Sequence, residues 1–202
     1  MNTTFTAEDR RRVEDGIRGK YIGVAQSPQG QFRYPTGRAG LEGLKYDAAL
    51  IARLPDEAVA SYCGVGNPFS LGPLRDGEAV LDVGCGGGVD TMVAAMMAGP
   101  DGKAVGIDLI PEMLQHAGRN LAKSGLTNVT FQQASGESLP FPDASFDVVI
   151  SNGVFNLIPD KQKALREAIR VLKPGGRLMI ADQVLITEIP ADTKSMVETW
   201  AG

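Results

Sequence analysis

The 202 residues are 43% hydrophobic and 22% charged, with a formal net charge of −4 and an isoelectric point near 5.1. That length suits one well-packed domain with an accessory segment and is too short for two full domains. The acidic balance argues against a dedicated nucleic-acid binder, no apolar run approaches the roughly 18 residues of a membrane span, and the amino terminus lacks a secretory apolar core, so a cytoplasmic setting is expected.

Thr6 followed by Asp9 predicts a helix starting near Ala7. Arg10, Arg11 and Arg12 lie among Glu8, Asp9, Glu14 and Asp15, which reads as a solvated helix face. Residues 27–40, SPQGQFRYPTGRAG, read as a loop, and two short helices are expected around 47–53 and 55–62. Residues 1–75 are expected to form a helical lid and residues 76–202 the main domain. Cys63 and Cys85 show neither a disulfide framework nor a metal-ligand spacing, so no metal is expected and both default to buried apolar residues.

From Glu78 onward short apolar strands alternate with helices. Strands are expected at 79–83, 104–109, 129–133 and 146–151, with a fifth opening at Leu178. Helices are expected at about 90–98, from Pro111 to a Gly125 cap, and at about 160–172, ending at Lys173-Pro174-Gly175-Gly176. Repeated strand–helix–strand units predict an α/β fold with a doubly wound parallel sheet.

In such a sheet ligands bind beyond the carboxyl ends of the strands. The turn after the first strand reads VLDVGCGGGVD, where Gly84 and Gly86 allow bare backbone to approach a ligand. Val89 stands where a dinucleotide fingerprint has its third glycine, and no Lys-Ser/Thr pair follows for a triphosphate. Asp82 would repel a pyrophosphate but suits an ammonium group. Asp108, ending the second strand, can accept hydrogen bonds from ribose hydroxyls, or serve as a helix-dipole acid before Pro111. An ammonium at one end and a ribose at the other describe S-adenosylmethionine.

VLDVGCGGGVD, GIDLIPEML, GESLPFPDASFDVVISNGVFNL and EAIRVLKPGGRLMIAD resemble the successive motifs of class I S-adenosylmethionine-dependent methyltransferases, above all the arsenite methyltransferases and next the quinone-biosynthesis methyltransferases. The resemblance implies a Rossmann-like sheet and a small-molecule methyl acceptor. It implies that Asp82, Gly84, Cys85 and Gly86 hold the methionine end of the cofactor, that Asp108 binds the ribose, and that Leu109 flanks the adenine. Ser135, Gly136 and Glu137 would lie at the adenine edge. Ser151 and Asn152 would sit near the sulfonium, with Asn152 in the catalytic position; a helix-cap role for Asn152 is the open alternative.

Arsenite methyltransferases hold arsenic through cysteines, and this sequence departs there: Val65 and Gly153 stand where the family has two of them. A soft acceptor would need no strong base, and His116, expected to be exposed in mid-helix, is a poor candidate for one. Tyr21, Phe32, Tyr34 and Arg38 would shape the acceptor pocket, although Phe32 and Tyr34 could equally staple their loop. The family's last two strands lie outside these 202 residues, so about five strands are expected. The fifth, RLMIADQVLI, would be an apolar edge covered by a partner subunit in a homodimer or by the tail after Thr187. Two origins of the ending stay open, a cloning boundary and a UGA codon read as selenocysteine. A non-catalytic cofactor-binding or assembly protein and a nicotinamide dehydrogenase are the competing functions.

Overall fold

A computed structural model describes residues 6–184. Four helices come first: α1 (Ala7–Gln26), α2 (Gly37–Gly43), α3 (Ala48–Ile51) and α4 (Asp56–Ala60). Then follow β1 (Ala79–Val83), α5 (Val89–Met97), β2 (Lys103–Asp108), α6 (Pro111–Ser124), β3 (Val129–Gln133), β4 (Phe146–Asn152), α7 (Lys161–Val171) and β5 (Leu172–Ala181). The strands make one sheet, ordered β3-β2-β1-β4-β5 and parallel throughout. The chain runs outward through β2 and β3, then returns across β1 to β4. The point of reversal therefore lies between β1 and β4, where a doubly wound sheet opens a crevice at its carboxyl edge.

Burial on both faces explains the continuous apolar strands. Leu81, Val83, Ile107 and Val149 pack on one face with Ala164, Ala168 and Val171 of α7. Val80, Ala104, Val148 and Ile150 pack on the other with Ala94 and Ala95 of α5. Side chains alternate along a strand, so Asp82 shares the face of Val80 and is carried toward α5. Pro111 opens α6, and Gly125 closes it in the left-handed conformation with φ 71°.

The first segment shares its core with the sheet domain. Val24 and Ala25 of α1 meet Ile110 and Met113, while Leu41, Tyr46, Ile51 and Val59 meet Val89, Met92 and Val93 of α5. A Thr6–Asp9 capping box starts α1 as expected. The arginine run is only in part a solvated face. Arg12 pairs with Glu8, but Arg10 reaches across to Glu137 at 3.1 Å and ties α1 to the sheet domain.

The structure corrects three expectations. The expected loop at 27–40 gives way to α2 at Gly37, a helix hidden in the sequence by its glycines; Gly40 is needed there because a Cβ would lie 2.7 Å from the Pro35 carbonyl oxygen. β5 begins pairing at Leu172 rather than Leu178. One residue of β4, Asp147, faces four of β5 between Phe146↔Leu172 and Val148↔Arg177, so Lys173–Gly176 forms a bulge before regular pairing resumes. His116 is half-buried under α1, its Nδ1 2.8 Å from the Ala25 carbonyl oxygen. β5 has β4 as its one neighbour among the described residues; the tail expected to cover it lies outside them.

Candidate functional site

A cavity of about 170 Å3 opens at the carboxyl ends of β1, β2 and β4, under α1. Its wall is made by the turn after β1. Gly84 has φ 79°, and a Cβ there would run into the Val154 methyls. The turn is pinned from β2: Gly84 and Cys85 both donate their N–H groups to the Ile107 carbonyl at 2.8 Å. Gly86 donates its N–H to Asp108 Oδ2 at 2.9 Å. Asp108 also accepts from the Ile110 N–H at 2.9 Å through Oδ1, so one carboxylate fixes both the glycine turn and the start of α6. Burial raises its pKa and those backbone donors oppose the rise.

Asp82 is 2% exposed, and Thr91 of α5 donates its hydroxyl to Asp82 Oδ2 at 2.6 Å. Asp90, 8% exposed, lies in the same wall. It accepts from the Tyr46 hydroxyl at 2.7 Å and from the Asn152 amide at 2.9 Å. Burial holds Asp82 well above the usual carboxylate range, and it pushes Asp90 up to about 6.

Asn152, at the end of β4, caps no helix. Its Oδ1 accepts from the N–H groups of Val65 and Gly66 at 2.9 and 3.1 Å, and its Nδ2 also reaches the Gly66 carbonyl at 2.8 Å. The side chain lines the cavity while clamping the 64–66 loop onto the sheet. Ser151 is fully buried, outside the cavity lining, with its hydroxyl donated to the Val83 carbonyl at 2.9 Å; it closes β4 onto β1 instead of facing a ligand.

On the β2–β3 side, Leu109, Ile110, Ala134 and Ile158 make an apolar slot. Leu109 is 44% exposed at its rim. Ser135, Gly136 and Glu137 line the same end. The Ser135 hydroxyl accepts from the Glu137 N–H at 3.1 Å, and the Glu137 carboxylate binds Arg10 and the Asp160 N–H.

Every other residue the sequence singled out for the cofactor (Asp82, Gly84, Cys85, Gly86, Asp108, Leu109, Ser135, Gly136, Glu137 and Asn152) lines the one cavity. Sequence reasoning gave no role to Asp90, Tyr62 or Cys63, which line it too. Asp90 was visible as the second acid of VLDVGCGGGVD, but its partner Tyr46 was not. Burial pushes the Cys63 thiol up to about 12, which keeps it protonated. The same cause raises the Tyr62 and Tyr21 hydroxyls further above their ordinary range.

Of the aromatic loop, Phe32 staples: its ring lies 5.0 Å from that of Tyr34 and 6.5 Å from that of Tyr21, under the Lys20 ammonium. Tyr34 instead lines a second, more open cavity with Pro35, Leu44, Gly64 and Val65. Gly64 belongs to both cavities. Between them Val65 meets Gly153: a Cβ on Gly153 would stand 3.2 Å from both Val65 methyls. The two positions singled out as cysteine replacements are thus neighbours in space.

The donor set fits S-adenosylmethionine. Buried carboxylates at one end match a cation, Asp108 with its remaining acceptor capacity matches a ribose diol, and the apolar slot matches a flat base.

Comparison with known proteins agrees. A methyltransferase domain model matches residues 74–202. The chain is 37% identical over 216 aligned positions to an arsenite methyltransferase of Halobacterium salinarum, covering 100% of this chain and 55% of the relative. It is 38% identical to a ubiquinone/menaquinone biosynthesis C-methyltransferase of Hahella chejuensis, over 65% of this chain and 59% of that one. The chain thus spans a little over half the length of these relatives. Among solved structures it is similar to an arsenic (III) S-adenosylmethionine methyltransferase from Chlamydomonas reinhardtii, with TM-score 0.56 and 36% identity over 74% of this chain and 50% of that one. An S-adenosylmethionine-dependent methyltransferase from Aquifex aeolicus gives TM-score 0.54 at 25% identity, over 83% and 89% of the two chains. With a parallel sheet opening on that cavity and a domain model matching more than half of its length, the chain belongs to the methyltransferase domain family.

Proposed function

We propose that this chain binds S-adenosylmethionine and transfers its methyl group to a small, soft nucleophile. The observation that carries this reading is the closure of the glycine turn by Asp108, which sets a ribose acceptor beside bare backbone and the Asp82 carboxylate. Asp82, Gly84, Cys85 and Gly86 hold the methionine end, Asp108 the ribose, and Leu109 with Ser135, Gly136 and Glu137 the adenine. Asn152 fixes the 64–66 loop beside the reacting carbon. Ser151 supports that position from behind the cavity wall. Residues 1–75 act as the lid, with α1 latched by Arg10 on Glu137.

The cofactor supplies a methyl carbon that is already electrophilic. Held by Asp82, Gly84, Cys85, Gly86 and Asp108, it would supply that methyl to the acceptor's lone pair, with its sulfur keeping the electron pair of the carbon–sulfur bond. The protein's part is to align the acceptor at about 3–3.5 Å and to exclude water. No histidine lines the cavity, and its tyrosines and Cys63 hold their protons. An acceptor that reacts without losing a proton to a strong base therefore suits it best. Val65 and Gly153 offer no thiolates, so arsenite is a poorer acceptor than a thiol, a selenol or an arsenical already carrying its own thiols.

The expected setting is the cytoplasm, with neither nucleic acid nor membrane as partner; no described helix is long and apolar enough to cross a bilayer. A homodimer paired across β5 would cover its free edge. Light scattering of purified protein reads that state directly, and a monomer with the edge in water rejects it.

Calorimetry with S-adenosylmethionine, S-adenosylhomocysteine and NAD tests the donor: the first two bind and NAD does not. Transfer of labelled methyl to benzenethiol, arsenite and hydroquinone tests the acceptor, with benzenethiol expected to lead. Binding of NAD alone, or no label on any acceptor, overturns the proposal.

A further inference from the structure

Asp82 and Asp90 form an acidic pair, each less than a tenth exposed, in the wall of one cavity. Among the described residues no Lys or Arg forms an ion pair with either. Among the described residues Thr91 alone hydrogen-bonds Asp82. Asp90 is held more firmly, by Tyr46 from the lid segment and by Asn152 from β4. Tyr62 buttresses that arrangement: its hydroxyl donates to the Gly66 carbonyl at 2.9 Å and lies 3.2 Å from the Tyr46 oxygen. Two buried carboxylates kept in place without a cation are an unbalanced charge, which a cationic ligand would balance.

We propose that Asp90 is a specificity-determining residue: Asp82 matches the ammonium that both molecules carry, and Asp90 leaves the cavity wall short of one further positive charge, so that the protein prefers the sulfonium cofactor to the thioether left after methyl transfer. This rests on the cofactor assignment above and goes beyond it, since the glycine turn and Asp108 would hold both molecules alike. Preference for the sulfonium favours release of the product, which otherwise shares every contact.

The sign of the pH dependence follows from the groups that face the pair. These are Asp108 from β2, Cys85 from the glycine turn, Tyr46, Tyr62 and Cys63 from the lid segment, and Asn152 from β4, with Glu14, Tyr21 and Glu137 lining the same cavity. No histidine lines the cavity, and His116 faces Ala25 instead. Burial raises both carboxylates, Asp90 to about 6. As pH falls through that range the pair takes up a proton, its net charge drops, and the preference for the sulfonium weakens.

Calorimetric titration of S-adenosylmethionine and S-adenosylhomocysteine from pH 7 to pH 5 tests this in wild type, Asp90→Asn and Tyr46→Phe. In wild type the ratio of the two affinities falls at least fivefold across the range. Asp90→Asn lowers the ratio about fivefold at pH 7 and leaves it flat with pH. Tyr46→Phe keeps the charge but loses one hydrogen bond to the carboxylate, so the midpoint of the wild-type curve moves to higher pH, which a merely structural tyrosine would not cause. A flat wild-type ratio, or a folded Asp90→Asn protein with the wild-type curve, overturns the proposal. If Asp90→Asn does not fold, Tyr46→Phe decides, and an unmoved midpoint overturns it. Absence of binding by either compound refutes the cofactor assignment as well, whereas binding with an unaltered ratio sinks this inference alone.

Discussion

The two sides of the Val65–Gly153 contact are built on different plans. On the side proposed for the methyl donor three carboxylates, the buried Asp82 and Asp90 and the half-buried Asp108, converge on a glycine turn. Asp108 and Asp90 are both tied down, the first to backbone N–H groups and the second to Tyr46 and Asn152. On the side of the second cavity, where we propose that the acceptor enters, the wall is Val65, Gly64, Pro35 and Leu44, with the Tyr34 hydroxyl already donated to the Cys63 carbonyl at 3.0 Å. Polar groups held in advance select one ligand sharply, because a ligand that fails to match leaves them buried and unpaired; an apolar wall discriminates mainly by size. The difference predicts a strict methyl donor and a tolerant choice of acceptor.

The most severe way to break the donor side is Gly84→Ala. The left-handed backbone costs a non-glycine residue about 1–3 kcal/mol, and the new methyl also meets Val154. The melting temperature should fall by roughly 4 °C or more, and cofactor binding should be lost. Wild-type affinity measured by calorimetry on this variant would mean that the turn does not approach the ligand. Asp108→Asn is milder. It keeps one acceptor for the backbone and removes the charge, so the loss is that of a charge-assisted hydrogen bond, about 1.5–3 kcal/mol, or roughly 10- to 100-fold in cofactor affinity. An affinity unchanged within twofold would return Asp108 to a purely helix-capping role.

The donor side was readable because its parts are local. Asp82, Gly84 and Gly86 lie on one strand–turn unit, and Asp108 ends the adjacent strand, so strand periodicity places all four without any tertiary knowledge. The order of strands and helices was legible for the same reason. What escaped depends on contacts between distant residues. Tyr46 meets Asp90 across 44 residues and Asn152 meets Val65 across 87, and no local pattern announces either. The family resemblance placed Ser151 with Asn152 near the sulfonium, but successive residues of a strand face opposite sides, and its hydroxyl turns to Val83. α2 was missed because Gly37 and Gly40 read as loop, whereas close packing against Pro35 and Tyr62 requires glycine at position 40.

The acceptor side is sharpened by a smaller change. Val65→Ala removes the two methyls that face Gly153 and widens the passage between the two cavities, at a stability cost of about 1 kcal/mol for a half-buried side chain. Cofactor affinity should stay within about twofold, because Val65 lines the second cavity and not the first. The kcat/KM for 2-naphthalenethiol relative to benzenethiol should rise by up to roughly tenfold, the worth of a methylene or so in an apolar pocket. The two readouts together are what make the variant informative. A rise in the ratio at constant cofactor affinity separates acceptor choice from donor binding. An unchanged ratio means that acceptors do not pass Val65, so the apolar wall would have no part in selection. A loss of cofactor affinity means instead that the 64–66 loop, held by Asn152, transmits strain into the donor cavity, and the two sides could no longer be treated as separate plans.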